Sequence, residues 1–215
     1  MSVVQTISQR IITTRSNHEE IFLVALCGWA DTGKSTIAAA LCQSLIDDEN
    51  VNADCVSTDA FLKCRDDRNR LGISGYHPAA IDKPALESAV ERLSSGRKIT
   101  YYPYDNRTGR RVAAPRDIEP KSVIVLEGIH ALHPAILRRV HLRIFIDSDE
   151  NTLKAMRCRA NMVKRGMDES AAVRHIDAEL EEYKKYVLPG KAAAHLHFGV
   201  DCHFDYWLRE VSDGT

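Results

Sequence analysis

The sequence predicts an α/β protein built on a mostly parallel sheet with helices on both faces. Three observations carry that prediction. The apolar run Ile21-Phe22-Leu23-Val24-Ala25-Leu26 suits a strand buried on both sides. It feeds a glycine-bounded loop, Gly28-Trp29-Ala30-Asp31-Thr32-Gly33-Lys34-Ser35-Thr36, and then a helix in which Ile37, Leu41 and Leu45 recur every fourth residue. Beyond that unit, apolar runs continue to alternate with amphipathic segments, the pattern of strands joined by crossover helices.

Taken in order, Val4, Ile7, Ile11 and Ile12 give residues 1–20 a short amphipathic helix, an N-terminal extension closed by the polar connection Arg15–Glu20. The loop helix closes at Asp47-Asp48-Glu49-Asn50, where acidic residues oppose the helix dipole and predict fraying. Ala53–Thr58 reads as a second strand ending at Asp59-Ala60-Phe61-Leu62. Lys63–Gly75 is too charged for a core and reads as a mobile surface segment near the site. Tyr76-His77-Pro78 precedes a helix over Lys83–Leu93. Ile99–Asp105 is extended, Pro103 restricts it to an edge, and Asn106–Arg111 turns it into a hairpin arm. Ser122–Leu126 and Leu142–Asp147 are strands, with a short helix over Pro134–Arg138 between them. Glu150–Arg165 is a basic helix carrying Lys154, Arg157, Arg159, Lys164 and Arg165, stopped by Gly166. A further helix opens at Asp168-Glu169 and runs to about Tyr186, where Pro189-Gly190 stops it. His195–Val200 is a last short strand. No repeat or linker divides residues 1–215, so the chain reads as one domain.

Composition excludes several classes. A formal net charge of −1 gives no global attraction to nucleic acid or anionic membrane. No apolar run approaches the roughly 20 residues that span a bilayer. The N-terminus shows no basic segment followed by an apolar one, which predicts a cytoplasmic protein. The six cysteines form no C-x-x-C pair. His195 and His197 would share a strand face, but no thiol or carboxylate ligand set accompanies them.

Ligands of such sheets bind at the carboxyl ends of the strands. Here those ends carry the Gly28–Thr36 loop, Asp59 and Glu127. The loop reads G-x-x-x-x-G-K-S, whose backbone N–H groups wrap phosphate oxygens; Lys34 reaches the β- and γ-phosphates and Ser35 ligates Mg²⁺. Trp29 and Asp31 are bulky and acidic for such a loop and are expected to point outward. Asp59 can accept a proton from an alcohol or sit near the metal; the plainer alternative is a helix N-cap. Glu127 can hold Mg²⁺ directly or through water, or merely end its strand. The basic helix places Arg157, Asn161 and Lys164 on one face and can supply cations to phosphates; the plainer alternative is a solvated face.

An ordered set of motifs extends these readings. Ser57-Thr58-Asp59-Ala60-Phe61-Leu62, His77-Pro78-Ala79-Ala80-Ile81-Asp82, Pro103-Tyr104-Asp105, Val125-Leu126-Glu127-Gly128-Ile129, Phe145-Ile146-Asp147, Lys164-Arg165-Gly166 and Leu188-Pro189-Gly190-Lys191 follow the phosphate loop. With them, roughly residues 20–200 resemble the uridine kinase and phosphoribulokinase family of P-loop small-molecule kinases. The resemblance implies a P-loop NTPase-type, nucleoside-kinase-like fold with a helical lid at about residues 150–168. It implies ATP and Mg²⁺ as cofactors and a small-molecule hydroxyl as phosphate acceptor. Asp59 would be the general base, with Ser35 and Glu127 at the metal and Arg157 and Arg165 as lid arginines. Candidate acceptor-binding residues are Phe61, Tyr76, His77, Tyr104 and Arg107. Uridine kinases carry an Arg-Asp pair where this chain has Ala160-Asn161, so Arg159 is a candidate substitute; Met167 replaces another lid arginine. Tyr76 stands where those enzymes place a ribose-gripping aspartate, Gly109 where they place a pyrimidine-sensing histidine, and Leu62 where they place a tyrosine. The implied pocket therefore departs from pyrimidine nucleosides. A true uridine or cytidine kinase, and a nucleotide-binding regulator without phosphotransfer, are the competing readings. Arg65, Arg68, Arg70, Arg107, Arg110 and Arg111 either favour an acidic or phosphate-bearing acceptor or form a solvated basic surface. Self-association into a homo-oligomer is left open.

Overall fold

A computed structural model describes residues 1–15 and 21–211. The N-terminal pattern folds as α1 (Val3–Arg15), with Ile7 and Ile11 fully buried. Of the polar connection expected after it, residues 16–20 lie outside the described residues. The central run forms β1 (Phe22–Gly28), and α2 (Lys34–Asp47) follows the glycine loop. β2 (Ala53–Ser57) leads into a 3-10 turn over Thr58–Phe61. The segment expected to be mobile contains a helix, α3 (Arg65–Arg70). Asp66 and Asp67 in its first turn and Arg68 and Arg70 in its last complement the helix dipole, which is why so charged a stretch folds. Asp82 caps α4 (Lys83–Ser94) through the Ala85 N–H at 3.1 Å.

The arm is two short antiparallel ladders made of β3 (Ile99–Tyr101), β4 (Tyr104–Asp105), β5 (Arg110–Arg111) and β6 (Arg116–Ile118). β3 pairs with β6, and β4 with β5. After β7 (Val123–Glu127), α5 (Pro134–Leu137) and β8 (Leu142–Asp147) comes α6 (Glu150–Arg165), ended by Gly166 at φ 67°. The single helix expected over Asp168–Tyr186 is two, α7 (Glu169–Val173) and α8 (Ile176–Tyr186). The Asn161 amide accounts for the break: it donates to the Ala172 carbonyl at 2.8 Å, taking an acceptor that a continuous helix would use. β9 (Leu196–Val200) matches the last expected strand, and β10 (Tyr206–Val211) adds an unanticipated one.

The six-stranded sheet has the order β10-β9-β8-β1-β7-β2, parallel except for β10. β1 lies between β7 and β8, with Val24 opposite both Val125 and Leu142. Alternation along β1 divides the core. Leu23, Ala25 and Cys27 face one layer with α4, α5 and α8, while Phe22, Val24 and Leu26 face α1 and α2. The strand order reverses at β1, so a crevice opens at its carboxyl end.

Candidate active site

The phosphate loop is built where side chains do not fit. Gly28 has φ 145°, and a Cβ there would lie 2.0 Å from the Ile146 carbonyl oxygen on β8. Gly33 has φ 81°, and its Cβ would lie 2.0 Å from the Tyr206 hydroxyl. That hydroxyl donates to the Thr32 carbonyl at 3.0 Å, so β10 buttresses the loop from outside. Thr32 Oγ1 donates to the Trp29 carbonyl at 2.8 Å, and Lys34 Nζ donates to the same oxygen. Lys34 is buried, which lowers its pKa; Glu127 is the largest of the anions opposing that shift.

Two loop residues point inward, contrary to the sequence expectation. Trp29 is fully buried, stacked on Tyr76 at 4.8 Å between centroids and edge-on to Tyr183 at 4.9 Å. Asp31, at φ 62°, turns its carboxylate under α6. It accepts from Arg157 at 2.8 Å, Lys164 at 3.1 Å and Arg165 at 3.3 Å. Burial pushes the Asp31 pKa up, but the cations, led by Arg157, outweigh it and hold it at about 2. Arg157 also makes a two-pronged pair with Glu179, both contacts 2.7 Å.

The neighbouring strand ends complete the site. Glu127, the last residue of β7, is buried, and its Oε2 accepts from Ser35 Oγ at 3.1 Å. Burial, reinforced by nearby Asp59, raises its pKa. A hydroxyl and a buried carboxylate side by side are a donor set suited to Mg²⁺, which takes few protein oxygens beside substrate phosphates. Asp59 lies in the first turn after β2, and Ser57 rather than Asp59 caps that turn. Asp59 Oδ2 accepts from the Asn106 amide of the arm at 3.2 Å.

These groups share a cleft of about 860 Å³. Ala30, Asp31, Gly33, Lys34, Ser35 and Thr36 line it, as do Asp59, Tyr76, Arg107, Glu127, Arg157 and Arg165. Gly28, Trp29 and Thr32 are buried within the loop, and Phe61 is buried in the core cluster that includes Trp29 and Tyr76. Three candidates lie elsewhere. Arg159 is exposed, on another face of α6 than Arg157. The His77 ring accepts from the Ala79 N–H at 3.0 Å and packs edge-on against Tyr186. Tyr104 lies behind the lining, its hydroxyl accepting from Arg68 at 2.7 Å. Sequence reasoning did not single out Asn106, which orients Asp59, or Glu179, which holds Arg157. The only signal for Asn106 was its place just after Pro103-Tyr104-Asp105.

The family model described as "Phosphoribulokinase / Uridine kinase family" matches residues 23–203, which span the loop, Asp59, Glu127 and α6. The chain belongs to that family. A uridine kinase-like protein 3 of Arabidopsis thaliana is 30% identical over 80% of this chain and 36% of its own length. The chain thus spans little more than a third of that relative. A uridine kinase of Deinococcus deserti is 28% identical over 81% of each chain. Among solved structures, the D-glycerate 3-kinase of Cryptococcus neoformans superposes with a TM-score of 0.73 at 14% identity, covering 100% of this chain and 99% of that one. That likeness is one of fold. Among the described residues no helix is long and apolar enough to cross a membrane.

Proposed function

We propose that this chain transfers the γ-phosphoryl group of ATP to a hydroxyl of a small metabolite other than a pyrimidine nucleoside. The observation that carries the phosphotransfer reading is the convergence of Lys34, the Ser35–Glu127 pair and Asp59 on one cleft. Lys34 would leave the Trp29 carbonyl for the β- and γ-phosphates, with the loop N–H groups around them. Ser35 and Glu127 would hold Mg²⁺, which neutralises charge on the transferring phosphoryl oxygens. Asp59, oriented by Asn106, would take the proton of the attacking hydroxyl. Arg157 and Arg165 would turn from Asp31 toward the phosphates as α6 closes.

The acceptor side supports the departure from pyrimidine nucleosides. Gly109 stands where the sequence resemblance implies a base-sensing histidine, and it has φ 74°. A Cβ there would meet the Arg65 side chain at 2.6 Å. Tyr76 replaces an aspartate, is stacked on Trp29, and spends its hydroxyl on the Ala30 N–H at 3.3 Å. Neither position offers the groups that would select the nucleoside.

The second reading, a uridine or cytidine kinase, has in its favour the names of the relatives, uridine kinases among them. Steady-state kinetics separate the two. Uridine and cytidine should be poor acceptors; a kcat/KM for either within the ordinary range of about 10⁴–10⁸ M⁻¹s⁻¹ restores the second reading. For the phosphotransfer chemistry, Asp59→Asn should keep ATP affinity and lose about 10²–10⁴ in transfer. Lost ATP affinity with unchanged turnover would instead assign Asp59 to the metal.

A further inference from the structure

The arginines beside Asp59 fall into two groups. Arg70 pairs with Asp67 and Arg110 with Asp66, all on exposed surface, and Arg111 on β5 is exposed as well. Arg65, Arg68 and Arg107 instead line the cleft on the Asp59 side. Among the described residues none of these three forms an ion pair; the oxygens that the Arg65 and Arg68 guanidinium groups meet are neutral. Arg68 is half-buried, donating from Nε to the Lys63 carbonyl at 3.2 Å and from Nη2 to the Tyr104 hydroxyl. Arg65 donates to the Asn106 and Arg107 carbonyls of the arm turn. The Arg65 N–H also donates to the Gly109 carbonyl at 2.8 Å, so α3 and the arm hold one another in place.

The carboxylates of the cleft do not supply the missing charge. Asp31 and Glu179 are taken by lid cations, Glu127 by Ser35, Glu182 by Ser74, and Asp105 by the Arg107 N–H at 2.8 Å. Asp59 is joined to Asn106, whose carbonyl accepts from Arg65. One residue therefore bridges the candidate base and a guanidinium that has no counter-charge. Guanidinium groups fixed by neutral partners, with donors left over, suit a planar carboxylate or a phosphate.

We propose that the acceptor is an anion: a small hydroxylated metabolite whose carboxylate or phosphate is bound by Arg68, flanked by Arg65 and Arg107, while its hydroxyl faces Asp59. This rests on the kinase reading above and narrows it. In the transfer, the acceptor oxygen bonds to the γ-phosphorus, the bond from that phosphorus to the bridging oxygen of ADP breaks, and the hydroxyl proton goes to Asp59.

The test measures ADP formation with matched pairs of acceptors: lactate against 1,2-propanediol, gluconate against glucitol, and ribose 5-phosphate against ribose. Wild type is compared with Arg68→Met, Arg68→Lys and Arg111→Met, each checked for folding by circular dichroism. Charged members should exceed their neutral partners in kcat/KM by about 10- to 100-fold, the contribution of hydrogen bonds to a charged group. The carboxylate and phosphate pairs show which anion is preferred. Arg68→Met should abolish the preference mainly through KM, Arg68→Lys should restore part of it, and Arg111→Met should leave it intact. Neutral members used as well as charged ones, or a preference that survives Arg68→Met, would overturn the anionic acceptor and leave the kinase reading standing. ATP binding with no turnover of any member would overturn both.

Discussion

Lys34 is buried beside two carboxylates, Glu127 and Asp59, and among the described residues its ammonium donates only to a backbone carbonyl. Lys34→Ala should lower turnover by about 10²–10³, as loss of comparable electrostatic stabilisers does, with little effect on folding. Near wild-type turnover would remove the loop from the chemistry. His130 makes a different kind of prediction. It is buried, and its Nε2 must carry the proton, because its partner at 2.8 Å is the Gly75 carbonyl. Burial pulls its pKa down to about 4. Between about pH 6.5 and 4 the unfolded chain binds a proton that the folded chain refuses. Stability is therefore fully present above about 6.5 and falls as the pH drops, by about 1.4 kcal/mol per pH unit. In denaturant titrations at stepped pH, His130→Gln should flatten that limb. At this scale Lys34, Ser35, Asp59 and Glu127 were legible because each closes a strand or a short motif. The inward turn of Trp29 and Asp31 was not. Their partners Tyr76 and Arg157 are 47 and 126 residues away, and local spacing carries no sign of them.

Among the described residues, α6, the helix proposed as a lid, is fastened to the phosphate loop through the Asp31 carboxylate. Asp31, Arg157 and Arg165 are nearly buried, with side-chain exposures of 8%, 13% and 12%, so the contact is poorly screened. Asp31→Asn leaves two buried guanidinium groups without that anion, a change that costs about 3–5 kcal/mol where a buried pair is broken. A non-hydrolysable ATP analogue should restore much of the loss, so its thermal shift should be larger in the variant than in wild type. An equal shift in both would show that Asp31 and the phosphates do not engage the same cations. The pH dependence has the acid sign: the contribution is present above about pH 3.8 and disappears as the pH falls toward 2. Hydrogen exchange over residues 157–167 reads the same loosening. Among the elements, the apolar parallel strands and α6 were legible from composition. The break between α7 and α8 was not, since it depends on Asn161 reaching Ala172 from another helix. α3 was missed because its charges were counted as solvation and not arranged along a dipole.

At the scale of the whole molecule, the central sheet separates two cores, and α1 belongs to one of them. Ile7 and Ile11 pack with Phe22, Leu41 and Leu45, so the N-terminal helix is structural cover for the loop-bearing helix α2. Ile11→Ala should cost about 2–5 kcal/mol in denaturant unfolding while leaving kcat/KM unchanged, since the residue is remote from the cleft. A change in KM with intact stability would give α1 a role at the site. The periodic apolar positions made α1 readable. β10 was not, because its charged and aromatic residues follow a polar turn and its attachment to the loop runs through the Tyr206 hydroxyl. The placement of α3 and the β4–β5 turn has a historical consequence. α3 buries no residue, and neither it nor the turn gives a side chain to either core. Drift in residues 63–75 and 104–111 therefore leaves the sheet and the phosphate loop untouched. If the acceptor is bound there, a lineage built on this plan can exchange one acceptor for another by rewriting two surface segments, while the sheet and the glycine-bounded loop are inherited unchanged.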